Sequence, residues 1–295
     1  MSLVTLRRLF RGTTLAAAAL LGACGGDSAP TGPGPDPGPG PGPAPGPAPA
    51  PVPGPTLQGR AIFGLTCANQ LVLFGSGNPG TLARQVSISG MPAGHAMEGI
   101  DFRPADGKLY GVGSDSRVYT IDTLSGAASP VGGTFAPAAA GDHFGVAFSG
   151  TEDRLRLHGV ESNQNLSFDP VSGGTASADA DLAYAVGDAN EGENPGVAAS
   201  GYLESAAGST LYGIEANANT LVTVSPATGA LVTVATFGFN VYLCSGLDID
   251  TDGTAYASLS TDDGSQLYTI DLATAHATLL GDIAGSPVHS IALRP

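Results

Sequence analysis

Three histidines pose the first chemical question. His95 and His143 stand just before the runs Gly99-Ile100-Asp101-Phe102 and Gly145-Val146-Ala147-Phe148, and His289 directly precedes Ser290-Ile291-Ala292-Leu293. Glu98 and Asp142 sit beside the first two. Three imidazoles with a nearby carboxylate form a donor set for a divalent transition metal such as zinc. The set works only if the three runs are neighbours in space. The offsets of the histidines from the runs differ, so ordinary polar loop residues are the alternative. A second candidate is Asp248-Ile249-Asp250-Thr251-Asp252-Gly253. Asp248, Asp250 and Asp252 place oxygens at alternate positions, as a calcium loop does. The position that needs a bidentate glutamate is Leu259, however. A hairpin turn asks for the same Asp and Gly residues, and Asp106-Gly107 fills such a turn elsewhere. Ca2+ and a divalent transition metal are therefore the cofactor candidates. The sequence has no Gly-x-Ser-x-Gly elbow, His-Glu-x-x-His or P-loop, and no dinucleotide fingerprint that opens a helix. No catalytic residue is assigned, and the reading leans away from an enzyme.

An internal repeat decides where these residues must stand. The Gly99 run recurs at Gly145, Gly196, Gly246 and Ser290, at spacings of 46, 51, 50 and 44 residues. A second run follows it: Leu109-Tyr110-Gly111-Val112, Leu211-Tyr212-Gly213-Ile214 and Ala255-Tyr256-Ala257. A third is Val118-Tyr119-Thr120-Ile121, matched by Leu221-Val222-Thr223-Val224 and Leu267-Tyr268-Thr269-Ile270. A fourth, such as Leu231-Val232-Thr233-Val234, closes the unit after a Gly turn. Each unit thus reads as four short alternating strands, the blade of a β-propeller.

The expected fold is all-β, a propeller of five four-stranded blades; six blades, with one merged in this count, is the alternative. Four blades start near Glu98, Phe144, Gly196 and Ser245. The fifth is split. Val288–Leu293 supplies its first strand, and Ala61–Leu65, Leu71–Phe74 and Gln85–Ile88 supply the other three, so the two chain ends close the ring. First strands line the axis of a propeller, which puts the three histidines at one mouth. Cys67 falls between strands two and three of the split blade, and Cys244 just before the first strand of the preceding blade. Both loops emerge on one face, so a disulfide is expected in an oxidising compartment. Two separate buried thiols are the alternative.

The start of the chain bears on that compartment. Arg7, Arg8 and Arg11 precede the short apolar stretch Thr13–Leu21, too short to span a bilayer. Leu21-Gly22-Ala23-Cys24 follows and resembles the lipobox of bacterial lipoproteins. That resemblance implies cleavage before Cys24, a lipid on its thiol, and a membrane partner held through that lipid. Gly25 rather than Asp follows the cysteine, which favours the outer membrane or cell surface. Between Pro30 and Pro55 lie 13 of the 23 prolines, alternating with Gly or Ala. Such a run is an extended spacer. The chain therefore divides into 1–23 signal peptide, 24–56 lipidated cysteine and stalk, and 57–295 propeller.

The propeller region resembles the bacterial family known as domain of unknown function 4394. The resemblance rests on Gly-Ile-Asp-Phe-Arg-Pro through Lys-Leu-Tyr-Gly-Val (Gly99 to Val112) and on Tyr119-Thr120-Ile121-Asp122 with its Gly126 turn. It implies no activity.

Charge narrows the partners. Lys and Arg total 11 against 26 Asp and Glu, a net charge of −15. Such a surface repels phosphate backbones, so nucleic acid is not expected. Carboxylate- and amide-rich segments (Glu161–Asn165, Gly187–Asn194, Glu215–Asn219) suit a rim for cations or sugar hydroxyls, or plain solvation. The expected protein is a monomeric, exported, lipid-anchored binding or scaffold protein of the envelope with a protein or carbohydrate ligand. The alternatives are a metal-assisted hydrolase or lyase at the channel mouth and a purely structural envelope protein.

Overall fold

Short runs of β-branched and aromatic residues between Gly, Asp and Asn turns commit this chain to strands. The computed structural model describes residues 56–173, 176–206, 208–261 and 264–295. The expected signal segment, Cys24 and the Pro-Gly run lie outside them. Among the described residues there is no helix.

Strands β1 (Ala61–Thr66), β2 (Gln70–Gly75) and β3 (Leu82–Ser87) open the domain. The second blade is β4 (Met97–Phe102), β5 (Leu109–Gly113), β6 (Arg117–Ile121) and β7 (Ala128–Val131). The third is β8 (Phe144–Ser149), β9 (Arg154–Gly159), β10 (Asn165–Phe168) and β11 (Ala176–Ala178). The short β12 (Ala183–Tyr184) then crosses to the next sheet, which continues as β13 (Val197–Ser205), β14 (Gly208–Glu215), β15 (Thr220–Val224) and β16 (Ala230–Thr236). There β12 lies parallel to β16 and covers the sheet's outer edge. The fifth blade is β17 (Gly246–Ile249), β18 (Ala255–Thr261), β19 (Gly264–Ile270) and β20 (Ala277–Asp282). The last strand, β21 (Val288–Leu293), pairs antiparallel with β1, from Ile62 opposite Leu293 to Thr66 opposite Val288. The ring is a five-bladed propeller sealed by its two ends, as the repeat implied.

The apolar residues are buried between blades rather than in one central core. Phe63 and Leu65 of the first blade pack with Ile100 and Phe102 of the second. Val112 and Val118 of the second pack with Val146 and Leu157 of the third. Ile62 and Val72 meet Leu267 of the fifth blade across the closure.

Two repeated devices hold neighbouring blades. The glycine that opens an inner strand lets the next inner strand approach: a Cβ on Gly246 would lie 2.7 Å from the Ile291 nitrogen and 2.9 Å from the Ser290 carbonyl carbon. The turn between a blade's second and third strands carries a left-handed residue, Asn69 (φ 55°), Ser116 (59°), Asn163 (57°) or Asn219 (56°). Asn tolerates that backbone conformation better than most residues, and its side chain is short enough to bond locally. Here it reaches the segment leading to the next blade. Asn69 Oδ1 accepts the Met97 amide at 3.1 Å, Ser116 Oγ that of Ala139 at 3.1 Å, and Asn219 Oδ1 that of Val241 at 2.6 Å. Asn163 Nδ2 instead donates to Asn194 Oδ1 at 2.8 Å.

Candidate functional site

The inner strands β4, β8, β13, β17 and β21 run in one direction around the axis, so the molecule has two chemically distinct mouths. At the end where these strands begin, Cys67, Cys244, His289, Glu98, Asp142 and His143 line a cavity of about 220 Å³. At the end where they finish, Asp101 and Asp248 line a cavity of about 350 Å³.

The first mouth straddles the seam of the ring. Cys67 sits in the turn after β1, and its amide donates to the Pro287 carbonyl at 2.8 Å, which ties the turn to the start of β21. His289 is on β21 itself, and Cys244 lies just before β17. The two cysteines meet, as ring order implies, but both are free thiols and the expected disulfide does not join them. The Sγ atoms and a His289 ring nitrogen all lie within 4.8 Å of one another. The Cys244 thiol donates toward Cys67, and with His289 beside it this pulls the Cys67 thiol down to about 5 against the opposing effect of burial. The same contact pushes Cys244 up. Burial raises the Glu98 carboxyl, Asp142 adds to the shift, and His289 and His143 oppose it.

The three histidines do not share a role. Nδ1 of His95 bonds Ser114 Oγ at 3.1 Å, and His95 does not line the cavity. Nδ1 of His143 bonds Glu161 Oε1 at 2.6 Å. Both ring nitrogens of His289 are buried, and among the described residues neither has an oxygen or nitrogen partner. The grouping therefore pairs one expected histidine with two cysteines that the sequence assigned to a bridge. A triad of ligands needs side-chain directions, and loop offsets do not give them.

The calcium candidate separates into individual contacts. Asp248 Oδ1 accepts the Ile249 amide at 2.7 Å and Oδ2 that of Leu293 at 2.6 Å. Asp250 pairs with Arg60, 2.7 Å from Nε to Oδ2. Asp252 Oδ1 accepts the Thr254 amide at 2.8 Å, within the β17–β18 turn closed by Gly253 N to Asp250 O. Part of the amide-rich rim is likewise spent internally. Glu215 accepts the Gly196, Asn217 and Ala218 amides, and Asn217 Nδ2 donates to the Asn194 carbonyl.

At the second mouth, Asp101 repeats what Asp248 does. Its Oδ1 accepts the Phe102 amide and its Oδ2 the Phe148 amide, each at 2.6 Å. Each aspartate thus joins its own inner strand to the next one. Burial pushes Asp248 up to about 7, with Asp250 adding and the two bound amides opposing. Burial raises Asp101 too, and the charge of Asp248 adds to it. Phe102, Phe148, Ile249 and Leu293 form apolar walls beside them. In the sequence the one signal for Asp101 is the Gly-x-Asp shared by two blades, Gly99–Asp101 and Gly246–Asp248.

A family profile described as Domain of unknown function (DUF4394) matches residues 70–292. The chain belongs to that family. No curated protein matches its sequence. Among solved structures, a protein of unknown function from Bacteroides thetaiotaomicron is similar at 15% identity with a TM-score of 0.51, over 80% of this chain and 64% of that one. This DUF4394 chain therefore spans less than two thirds of that structure's length. A chain of a nidogen/laminin complex is similar at 10% identity with a TM-score of 0.48, over 80% of this chain and 98% of that one. A protein of unknown function from Bacteroides caccae is similar at 10% identity with a TM-score of 0.42, over 81% and 100%. At these identities the first likeness speaks for the fold alone, and the other two add no argument.

Proposed function

We propose that this DUF4394 protein is a lipid-anchored binding protein of the cell envelope, and that it takes a small organic cation in the cavity at the second mouth. The observation that carries the ligand class is the wall chemistry of that cavity. Its roughly 350 Å³ fit a small molecule. Four apolar side chains wall it, and Asp101, Asp248, Asp250 and Glu204 line it beside Arg60. Arg60 is already paired with Asp250. Two buried carboxyls held toward their neutral forms gain a counter-charge when an ammonium or guanidinium group enters, which favours binding in a low dielectric. The lipobox at Leu21–Cys24 and the stalk support the anchored location, and the acidic surface leaves attachment to the lipid.

Isothermal titration of the full-length protein in detergent at pH 8, with putrescine, agmatine and choline as probes, tests the ligand class. Saturable binding of at least one cation, and none of acetate, is expected; no binding at millimolar concentrations overturns that reading. Radiolabelled palmitate tests the anchor. Label and membrane association should both vanish in Cys24→Ser, and a variant that stays membrane-bound rejects the anchor.

A further inference from the structure

We propose that Cys67, Cys244 and His289 form a binding site for a thiophilic divalent metal, with zinc the natural occupant. These three residues stand apart from the cation cavity, which lies at the other end of the ring.

The three donor atoms come from three separate segments: the turn after β1, the approach to β17, and β21. Their mutual distances stay within 4.8 Å. Two donors on a tetrahedral zinc stand about 3.6–3.8 Å apart, from Zn–S of about 2.3 Å and Zn–N of about 2.0–2.1 Å. The site therefore needs a closure of at most about an ångström, within the reach of side-chain rotation.

His289 distinguishes a metal site from a disulfide. Its two ring nitrogens are buried, and among the described residues neither finds an oxygen or nitrogen partner. A buried polar atom without a partner is costly. A Cys67–Cys244 bridge would leave the imidazole as it is, whereas a metal engages both sulfurs and one nitrogen together. Two thiolates and an imidazole select zinc-like ions over calcium or magnesium, which take oxygen donors. The fourth position opens on the cavity of about 220 Å³ that Glu98 and Asp142 also line. Three protein ligands with an open position are the arrangement in which zinc holds an exchangeable water.

Cobalt(II) is the probe. Full-length protein in detergent, reduced and kept anaerobic, is titrated with Co2+ and then with Zn2+. We expect one equivalent of Co2+ to give intense thiolate-to-cobalt absorption with tetrahedral d–d bands, and Zn2+ to displace it. Cys67→Ser and Cys244→Ser should each lose most of the thiolate band, and His289→Gln should weaken Co2+ binding at least 10-fold. His95→Gln, which bonds Ser114 and does not line the cavity, should leave the spectrum unchanged. Circular dichroism checks that each variant is folded. The proposal is overturned if the folded wild type gives no thiolate band, if the band survives in the Cys67→Ser, Cys244→Ser double variant, or if the two cysteines oxidise to a disulfide at the same rate with and without saturating zinc.

Discussion

The carboxylate of Asp248 accepts the backbone amide of Leu293 at 2.6 Å. A side chain of the last complete blade thereby grips the strand that ends the chain, at the seam where the ring closes. Asp101 grips Phe148 in the same way between the second and third blades. Removing the Asp248 carboxylate orphans two buried donors, the amides of Leu293 and Ile249. Asp248→Ala should cost about 2–6 kcal/mol, since each of the two buried donors left unpaired costs about 1–3 kcal/mol. Urea denaturation measures it, and a loss below about 1 kcal/mol would show that water replaces the carboxylate.

The same residue sets a pH dependence. Burial pushes folded Asp248 up to about 7, with Asp250 adding. The unfolded chain ionises it near 4. The stability tied to its proton is therefore complete below about 4 and is lost as pH rises through about 7. His158 acts in the opposite direction. Burial, with Arg156 adding, lowers it to about 3, so its contribution is complete above about 6.5 and is lost as pH falls through about 3. The two partly cancel between pH 4 and 6.5, so the difference between wild type and Asp248→Asn is the informative quantity. In thermal melts the wild type should lose its advantage over Asp248→Asn as pH rises from about 4 to 8. A constant gap across that range contradicts the assignment.

Ligand binding at the second mouth should follow the same titration with the reverse benefit. A cation needs ionised carboxylates, so its affinity should rise with pH through about 7, the value to which Asp248 is raised. Calorimetry with putrescine at pH 6 and pH 8 reads this directly. An affinity that falls with rising pH would place the cation elsewhere.

Closure predicts an all-or-none response to truncation. Ending the chain before Val288 removes β21, exposes the edge of β1, and takes Ile291 and Leu293 from the cluster that joins the first and fifth blades. The truncated protein should aggregate or melt without a cooperative transition. Retention of a single sharp melt near the wild-type temperature would mean that the ring tolerates an open seam.

Packing at the repeated glycine gives a further test. A methyl group at Gly246 meets backbone atoms of Ser290 and Ile291, which cannot swing aside. Gly246→Ala should cost about 1–3 kcal/mol, as overpacking typically does. Gly187 has nothing near its missing Cβ, but its φ of 83° makes Gly187→Ala strained for a separate reason. Gly133, with open space and no left-handed backbone, is the neutral control.

The residues themselves determined the strands, the blade count and the closing of the ring. Alternation of apolar residues and the placing of Gly turns are local properties, and a repeat of 44 to 51 residues sets how many blades there are. Ring order then brought Cys67 close to Cys244. Tertiary structure alone decided what the polar side chains do. His95 and His143 turn to Ser114 and Glu161 while His289 turns to the sulfurs, because the direction of a side chain at a blade junction depends on partners distant in the chain. For the same reason the rim asparagines became clamps between blades, and two aspartates of the repeat became staples with raised affinities for a proton. A strand pattern records which face is buried, but it does not record which donor from the next blade will be waiting there.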